Sequence, residues 1–190
     1  MNQYQQEYQS KLVTVEEALD SLQHGDVIAT SQCANEPTAL FDAMHTLRGK
    51  GKKFRLFAPM CFVPHEFLSD PVYRDTFDTD ITFLMGATRK ARDAGMLSYY
   101  PGDLHNGASR WLSVHGCNVF LAAATPMDQH GYMKIPLCLI HERTFLEQAD
   151  RVILQINPNL PSIYGDTEVH IRDVDMVVEA ATPLPYLPKS

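Results

Sequence analysis

Short apolar runs, each bounded by Gly, Pro, Asn or Asp, recur along this chain, and amphipathic stretches separate them. Asp26 to Thr30, Phe54 to Ala58, Ile81 to Met85, Val119 to Ala123 and Val152 to Leu154 read as buried strands. Tyr132 to Ile135 and Met176 to Val178 add two more, the second preceded by a short alternating segment. Between them lie helical signals. Thr14 and Glu17 form a capping box ahead of inward-facing Ala18, Leu19 and Leu22, with a stop near His24-Gly25. Pro37 opens a helix whose apolar face is Ala39, Leu40, Ala43, Met44 and Leu47. Further helices are expected from Gly86 to about Ala94, from Asp103 to Leu112 and from Glu142 to Ala149. Strands that alternate with helices predict an α/β fold with a largely parallel sheet.

Composition narrows the class. At 190 residues the chain is long enough for one well-buried domain, and its 45% hydrophobic and 21% charged content is that of a globular protein. A net charge of −7 argues against a nucleic-acid surface. No run approaches the roughly 20 apolar residues of a membrane span, and the polar start MNQYQQEYQSK has no signal-peptide core. The cysteines, Cys33, Cys61, Cys117 and Cys138, form no C-x-x-C pair, so reduced thiols and a cytoplasmic location are expected. The eight histidines lack zinc-ligand spacing, and no metal is expected.

Several loops have the chemistry of a site. The strand ending at Leu154 runs into Asn157-Pro158-Asn159, followed by Pro161 and Gly165. Such loops place amides at a sheet edge, where open α/β proteins bind ligands. Ser31 to Pro37 joins a strand end to a helix start, which suits a carboxylate or phosphate, and Asn35 suits the cap there. Cys33 in that loop has no histidine partner nearby in sequence and is read as structural. Thr125 to Tyr132 follows a buried strand. Within it Asp128 and His130 either orient a ligand, form an acid/base pair, hold a metal, or, as the default, cap a turn. Arg89, Lys90 and Arg92 oppose the dipole of their helix start, which a nearby anion or a solvated face explains. The basic run Arg48 to Lys53 follows a helix and precedes a strand. It therefore belongs at the amino ends of the strands, away from the ligand edge.

These segments together resemble the N-terminal half of the acetyl-CoA hydrolase/transferase family, which includes 4-hydroxybutyrate, butyrate and acetate CoA-transferases. The resemblance starts at Tyr8 to Ala18, continues through Gly25-Asp26 and Asn35-Glu36-Pro37-Thr38-Ala39-Leu40, and takes in Gly86, Arg89, Gly95 and Pro101. It then covers Thr125 to Tyr132, Asn157 to Pro161, Gly165-Asp166 and His170. The chain departs from the family at Gln32-Cys33-Ala34, where glycines are usual, at Asn106 to Ser109, and at Pro136-Leu137-Cys138.

The resemblance implies a three-layer α/β fold like that of sugar-phosphate isomerases, with the CoA-transferase domain at residues 1–182. It implies that residues 183–190 form a Pro-rich linker toward a missing C-terminal catalytic domain or partner chain. It implies CoA transfer between a short-chain acyl-CoA and a carboxylate through a glutamyl-CoA intermediate, with the glutamate outside this chain. Coenzyme A is then a substrate, with no permanently bound cofactor and no catalytic residue in this chain. Asn35, Glu36, Pro37, Met127, Asp128, His130, Gly131, Asn157 and Asn159 are the expected substrate- and CoA-binding positions. Self-association, and no nucleic-acid or membrane partner, are expected. Acyl-CoA hydrolysis and a non-catalytic CoA- or carboxylate-binding domain are the alternatives.

Overall fold

The computed structural model of the chain describes residues 2–186. Its strands are β1 (Val27–Thr30), β2 (Phe54–Phe57), β3 (Phe77–Ile81), β4 (Leu97–Tyr99), β5 (Val119–Ala124), β6 (Tyr132–Lys134), β7 (Arg151–Ile156), β8 (Glu168–His170) and β9 (Met176–Glu179). Seven of them make one sheet in the order β4-β3-β2-β1-β5-β7-β9. Every neighbouring pair in it is parallel. The remaining two, β6 and β8, pair antiparallel as a separate ribbon. From central β1 the chain steps outward to β4, then returns to the other side of β1 with β5 and steps outward again. Strand order therefore reverses between β1 and β5, and the carboxyl edge there is where open sheets form a crevice.

The helices are α1 (Gln3–Lys11), α2 (Val15–Asp20), α3 (Thr38–Ala43), α4 (Glu66–Ser69), α5 (Arg89–Asp93), α6 (Gly107–His115) and α7 (Glu142–Gln148). Alternation along each strand sorts the core into two layers. Ile28, Leu56, Val119 and Leu121 pack with Leu19 of α2, Leu40 and Phe41 of α3, Phe67 of α4 and Ala91 of α5. Ala29, Phe57, Phe120 and Ala122 pack with Tyr8 of α1, Trp111 of α6, Phe145 of α7 and Met133 and Val169 of the ribbon. Helices on both faces of a parallel sheet give the three-layer α/β arrangement. Among the described residues, no helix is long and apolar enough to cross a membrane.

Several local expectations need correction, and the helix expected from Asp103 to Leu112 is Gly107–His115. The third strand is Phe77–Ile81, not Ile81 to Met85. Its Asp78 and Asp80 look unsuited to a buried strand, but Arg55 on β2 bonds both, at 3.0 and 2.7 Å. Phe83, which lends the downstream run its apolar look, is half exposed. The capping box of Thr14 and Glu17 is present, but α2 ends at Asp20, before His24-Gly25, and a turn carries Leu22 into the core. The N-terminal stretch, read as merely polar, is helix α1, and a second capping box closes it: Asn2 Oδ1 accepts from Gln5 N at 2.9 Å and Gln5 Oε1 from Asn2 N at 3.0 Å. Short edge strand β4 was also unforeseen. The last part of the expected linker, residues 187–190, lies outside the described residues.

Candidate functional site

The loop after β1 meets the loop after β2 and the loop between β6 and α7, while the loop after β7 is tied to the segment beyond β9. The loop after β1 is held from below by Ser31 N, which donates to Leu121 O at 2.8 Å. It then turns through Cys33, the one non-glycine residue with positive φ (58°) among those described. A left-handed residue there explains why glycine suits this position. Asn35 is fully buried and joins this loop to the one between β6 and α7: its Nδ2 donates to Cys138 O at 3.2 Å and its Oδ1 accepts from Leu137 N at 3.2 Å.

Glu36 is also buried. Its carboxylate accepts from Phe62 N, in the loop after β2, and lies 3.1 Å from His65 Nε2. The other nitrogen of His65 is 3.3 Å from Asp42 Oδ1, so the ring bridges two carboxylates. Burial pushes the Glu36 carboxyl above its ordinary value, while His65 and the backbone N–H groups oppose that shift. Glu36 thus fixes the loop after β2 against the loop after β1. Pro37 is buried and precedes α3, its carbonyl accepting from Phe41 N at 2.9 Å.

After β5, Met127 is half-buried and Asp128 exposed. Asp128 Oδ1 accepts from His130 N at 2.8 Å and Tyr132 N at 2.9 Å, which closes the turn into β6. His130 is exposed, with Nε2 3.1 Å from Gln129 Nε2. Gly131 has φ +89°, and a Cβ there would lie 2.9 Å from His170 Nε2 and 3.0 Å from the Tyr4 ring. Both the backbone angle and the crowding therefore demand glycine.

Asn157 and Asn159 converge on Thr182, just beyond β9. Asn157 Nδ2 reaches Thr182 O at 2.9 Å and its Oγ1 at 3.1 Å, and Asn159 Nδ2 reaches Thr182 O at 2.9 Å. Thr38 Oγ1 donates to Thr182 Oγ1 at 2.7 Å. Buried Gln155 adds a contact to Thr182 Oγ1 at 3.1 Å and accepts from Ala39 N at 2.9 Å. The Asn-Pro-Asn run is therefore a clamp that joins β7, the start of α3 and the segment leaving β9.

Met127, Asp128 and Pro158 also share a cavity of about 590 Å³ with Tyr8, Ile156 and Glu179. Tyr8 Oη donates to Glu179 Oε1 at 2.8 Å. Burial, with Glu179 adding to it, pushes the Tyr8 hydroxyl well above its ordinary value. The fold thus gathers Asn35, Glu36 and Pro37 at one group of loops and links them through Thr38 and Thr182 to Asn157 and Asn159. Met127 and Asp128 line the neighbouring cavity, while His130 faces outward at the turn. The basic run around Arg48 and Lys53 borders a separate cleft at the amino ends of the strands.

Sequence reasoning singled out neither His65, Glu142 nor Thr182, and named Gln32, Cys138 and Tyr8 without a site role of their own, within segments that carry or break the family resemblance. Glu142, at the first turn of α7, is buried and accepts from Gln32 N at 3.2 Å and His141 N at 2.9 Å. Burial raises its carboxyl above the ordinary value, against those N–H bonds. Gln32 is buried too, with its side-chain nitrogen unpaired. Two signals for Tyr8 were available: the Asn2-x-x-Gln5 capping box and the Tyr4, Tyr8, Leu12 spacing of one helix face. For the others, no local pattern marks a partner 23 to 29 positions away, as for His65 and Thr182, or more than a hundred, as for Gln32 and Cys138.

Comparison with known proteins agrees with this architecture. The family model described as the acetyl-CoA hydrolase/transferase N-terminal domain matches residues 1–188. A butyryl-CoA:acetate CoA-transferase of Anaerostipes caccae is 30% identical over 183 residues, which is 95% of this chain and 41% of that protein. The 4-hydroxybutyrate coenzyme A transferase of Clostridium kluyveri is 25% identical, over 96% of this chain and 42% of its own length. The chain therefore spans about two fifths of these curated relatives. Among solved structures, RipA from Yersinia pestis superposes with a TM-score of 0.85 at 22% identity, covering 100% of this chain and 46% of that one. A Porphyromonas gingivalis 4-hydroxybutyrate CoA-transferase gives 0.73 at 17% identity, covering 96% of this chain and 42% of that one. At these identities the two structures bear on fold alone.

Proposed function

This chain belongs to the acetyl-CoA hydrolase/transferase family, and from that premise we propose that it supplies one wall of a CoA-transferase cleft. In the complete enzyme, CoA moves between a short-chain acyl-CoA and a carboxylate acceptor of the butyrate, acetate or 4-hydroxybutyrate type. The observation that carries this reading is the family match over residues 1–188 on a parallel sheet whose strand order reverses between β1 and β5.

The chemistry follows from the proposed intermediate. A carboxylate outside this chain attacks the thioester, and the released thiolate attacks the resulting anhydride to leave CoA on the enzyme. The acceptor then reverses both steps, which gives ping-pong kinetics. Such a path needs a site closed to water and oriented donors for the developing oxyanion. The residues of this chain are assigned the wall. The carboxylate of Glu36 and the amide of Asn35 are spent on holding the loops after β1 and β2 and the loop before α7 in register. The Asn157 and Asn159 clamp fixes the segment that leaves β9. Met127, at the cavity beside β5 and β7, is assigned to the acyl side.

The test is CoA transfer from butyryl-CoA to acetate, read as acetyl-CoA and butyrate formed, by the chain alone and by the chain joined to the remaining half of a related transferase. The joined protein is expected to turn over, and the isolated chain to be nearly inactive. Robust transfer by the isolated chain would overturn the assignment of the nucleophile. Thiol release that is independent of added acetate would identify a hydrolase instead.

A further inference from the structure

We propose that the cleft at the amino ends of the strands binds an oligophosphate, a ligand with two or more linked phosphate groups. The cavity measures about 870 Å³. Arg48, Lys52, Lys53, His24 and His45 border it, and Asp75 is the one carboxylate in its lining. This positive charge is gathered on a chain of net charge −7. Among the described residues, no carboxylate lies within ion-pair distance of Arg48, Lys52 or Lys53, whereas neighbouring Lys50 pairs with Asp20. An ordinary solvated face interleaves its charges with opposite ones; this cleft does so only at Asp75.

Three features prepare the cleft for an anion. The half-buried Lys52 ammonium is held in place, with Nζ donating to Asp20 O at 3.0 Å and to Leu22 O at 2.6 Å, so little freedom is left to lose on binding. His24 Nδ1 accepts from Lys53 N at 3.2 Å, which leaves the proton of the neutral ring on Nε2, a donor. Gly49 and Gly51 have φ of +79° and +68°, and a Cβ at either would meet nothing within 4 Å, so a ligand can approach the backbone there. The N–H groups of Gly49, Gly51 and Lys52 have no protein acceptor among the described residues. Free N–H groups in such a turn suit an anion. The arginine fork matches a phosphate group, and a fixed ammonium adds a point charge beside it. The volume is that of a small-molecule pocket, and the cations come from two segments, the turn at His24 and the loop between α3 and β2. Linked phosphates therefore fit better than one small anion. The basic stretch is too short, and the chain too acidic, for a nucleic-acid track.

The cleft lies at the opposite end of the sheet from the loops after β1 and β7, so the site is independent of the acyl-transfer reading and is tested on the chain itself. The ¹⁵N-labelled chain is titrated with inorganic pyrophosphate at low salt, against sodium sulfate at matched ionic strength, and amide shifts are followed by NMR. Saturable shifts confined to residues 48–53 and the turn at His24-Gly25 are expected. Arg48→Ala and Lys53→Ala, both at exposed positions, should each weaken binding about tenfold. Lys50→Ala removes the same charge from a residue that does not border the cleft, and should change binding less than about twofold. ADP gives a second arm: tighter binding than pyrophosphate identifies a nucleotide as the ligand, and equal or weaker binding a free oligophosphate, and either supports the site. Shifts no larger than those from sulfate, shifts spread over the surface, or an effect of Lys50→Ala equal to that of Arg48→Ala would each overturn it and leave only a diffuse positive face.

Discussion

His65 bridges buried Glu36 and exposed Asp42, and removing it takes a hydrogen-bond partner from a buried carboxyl. Its ring is almost wholly covered, and the side chain of Glu36 is completely so. His65→Ala leaves Glu36 with only backbone N–H partners, and a buried polar group that loses a hydrogen-bond partner costs about 2 kcal/mol. Urea unfolding should show a loss of that order, and a double-mutant cycle with Glu36→Gln should show that the two changes are far from additive. Glu142 gives a pH prediction. Burial raises its carboxyl above the ordinary 4.5, so the folded chain holds this proton more tightly than the unfolded chain does. Its ionisation therefore erodes stability as pH rises from the unfolded value through the raised folded one. Glu142→Gln should flatten that fall, seen as a shallower decline of the urea midpoint across the window. An unchanged slope would show that the N–H bonds from Gln32 and His141 outweigh the burial.

Elements were legible where their pattern is local. The box of Thr14 and Glu17, the opening of α3 at Pro37 and the continuous apolar runs of β5 and β7 declare themselves within a few residues. β3 did not, because Phe77–Ile81 carries two aspartates whose justification is Arg55, more than twenty positions earlier on the neighbouring strand. The turn from Asp128 to Gly131 and the Asn-Pro-Asn run were legible as special loops, but their partners were not. The clamp on Thr182 carries its own prediction. Asn157 is buried and reaches both the carbonyl and the hydroxyl of Thr182, so Asn157→Ala should cost about 2 kcal/mol. The same acceptor keeps its Asn157 bond when Asn159 is truncated, so Asn159→Ala should cost under about 1 kcal/mol. Chemical denaturation orders the two. Hydrogen exchange at Ala180 N, bonded to Ile156 O at 3.0 Å, should accelerate more in Asn157→Ala.

For the whole molecule, the decisive feature is the division between what this chain holds and what the proposed chemistry requires. Its longer relatives contain more than twice its length, and the nucleophile is assigned to the remainder. Incubation with butyryl-CoA should therefore leave the intact mass of the isolated chain unchanged. The joined protein should gain a CoA-sized adduct when the acceptor is withheld. A covalent adduct on the isolated chain would place a nucleophile among its own residues.

The amino-acid sequence alone determined the α/β class, the alternation of strands and helices, the caps and the family, because each is written in spacings of a few residues or in ordered motifs. Tertiary structure decided which polar groups are consumed in tying loops together: Glu36 on His65, Asn157 on Thr182, Asn35 on a loop 103 positions away. A buried hydrogen-bonding group must find a partner, and folding supplies that partner from wherever the sheet order brings the chain back.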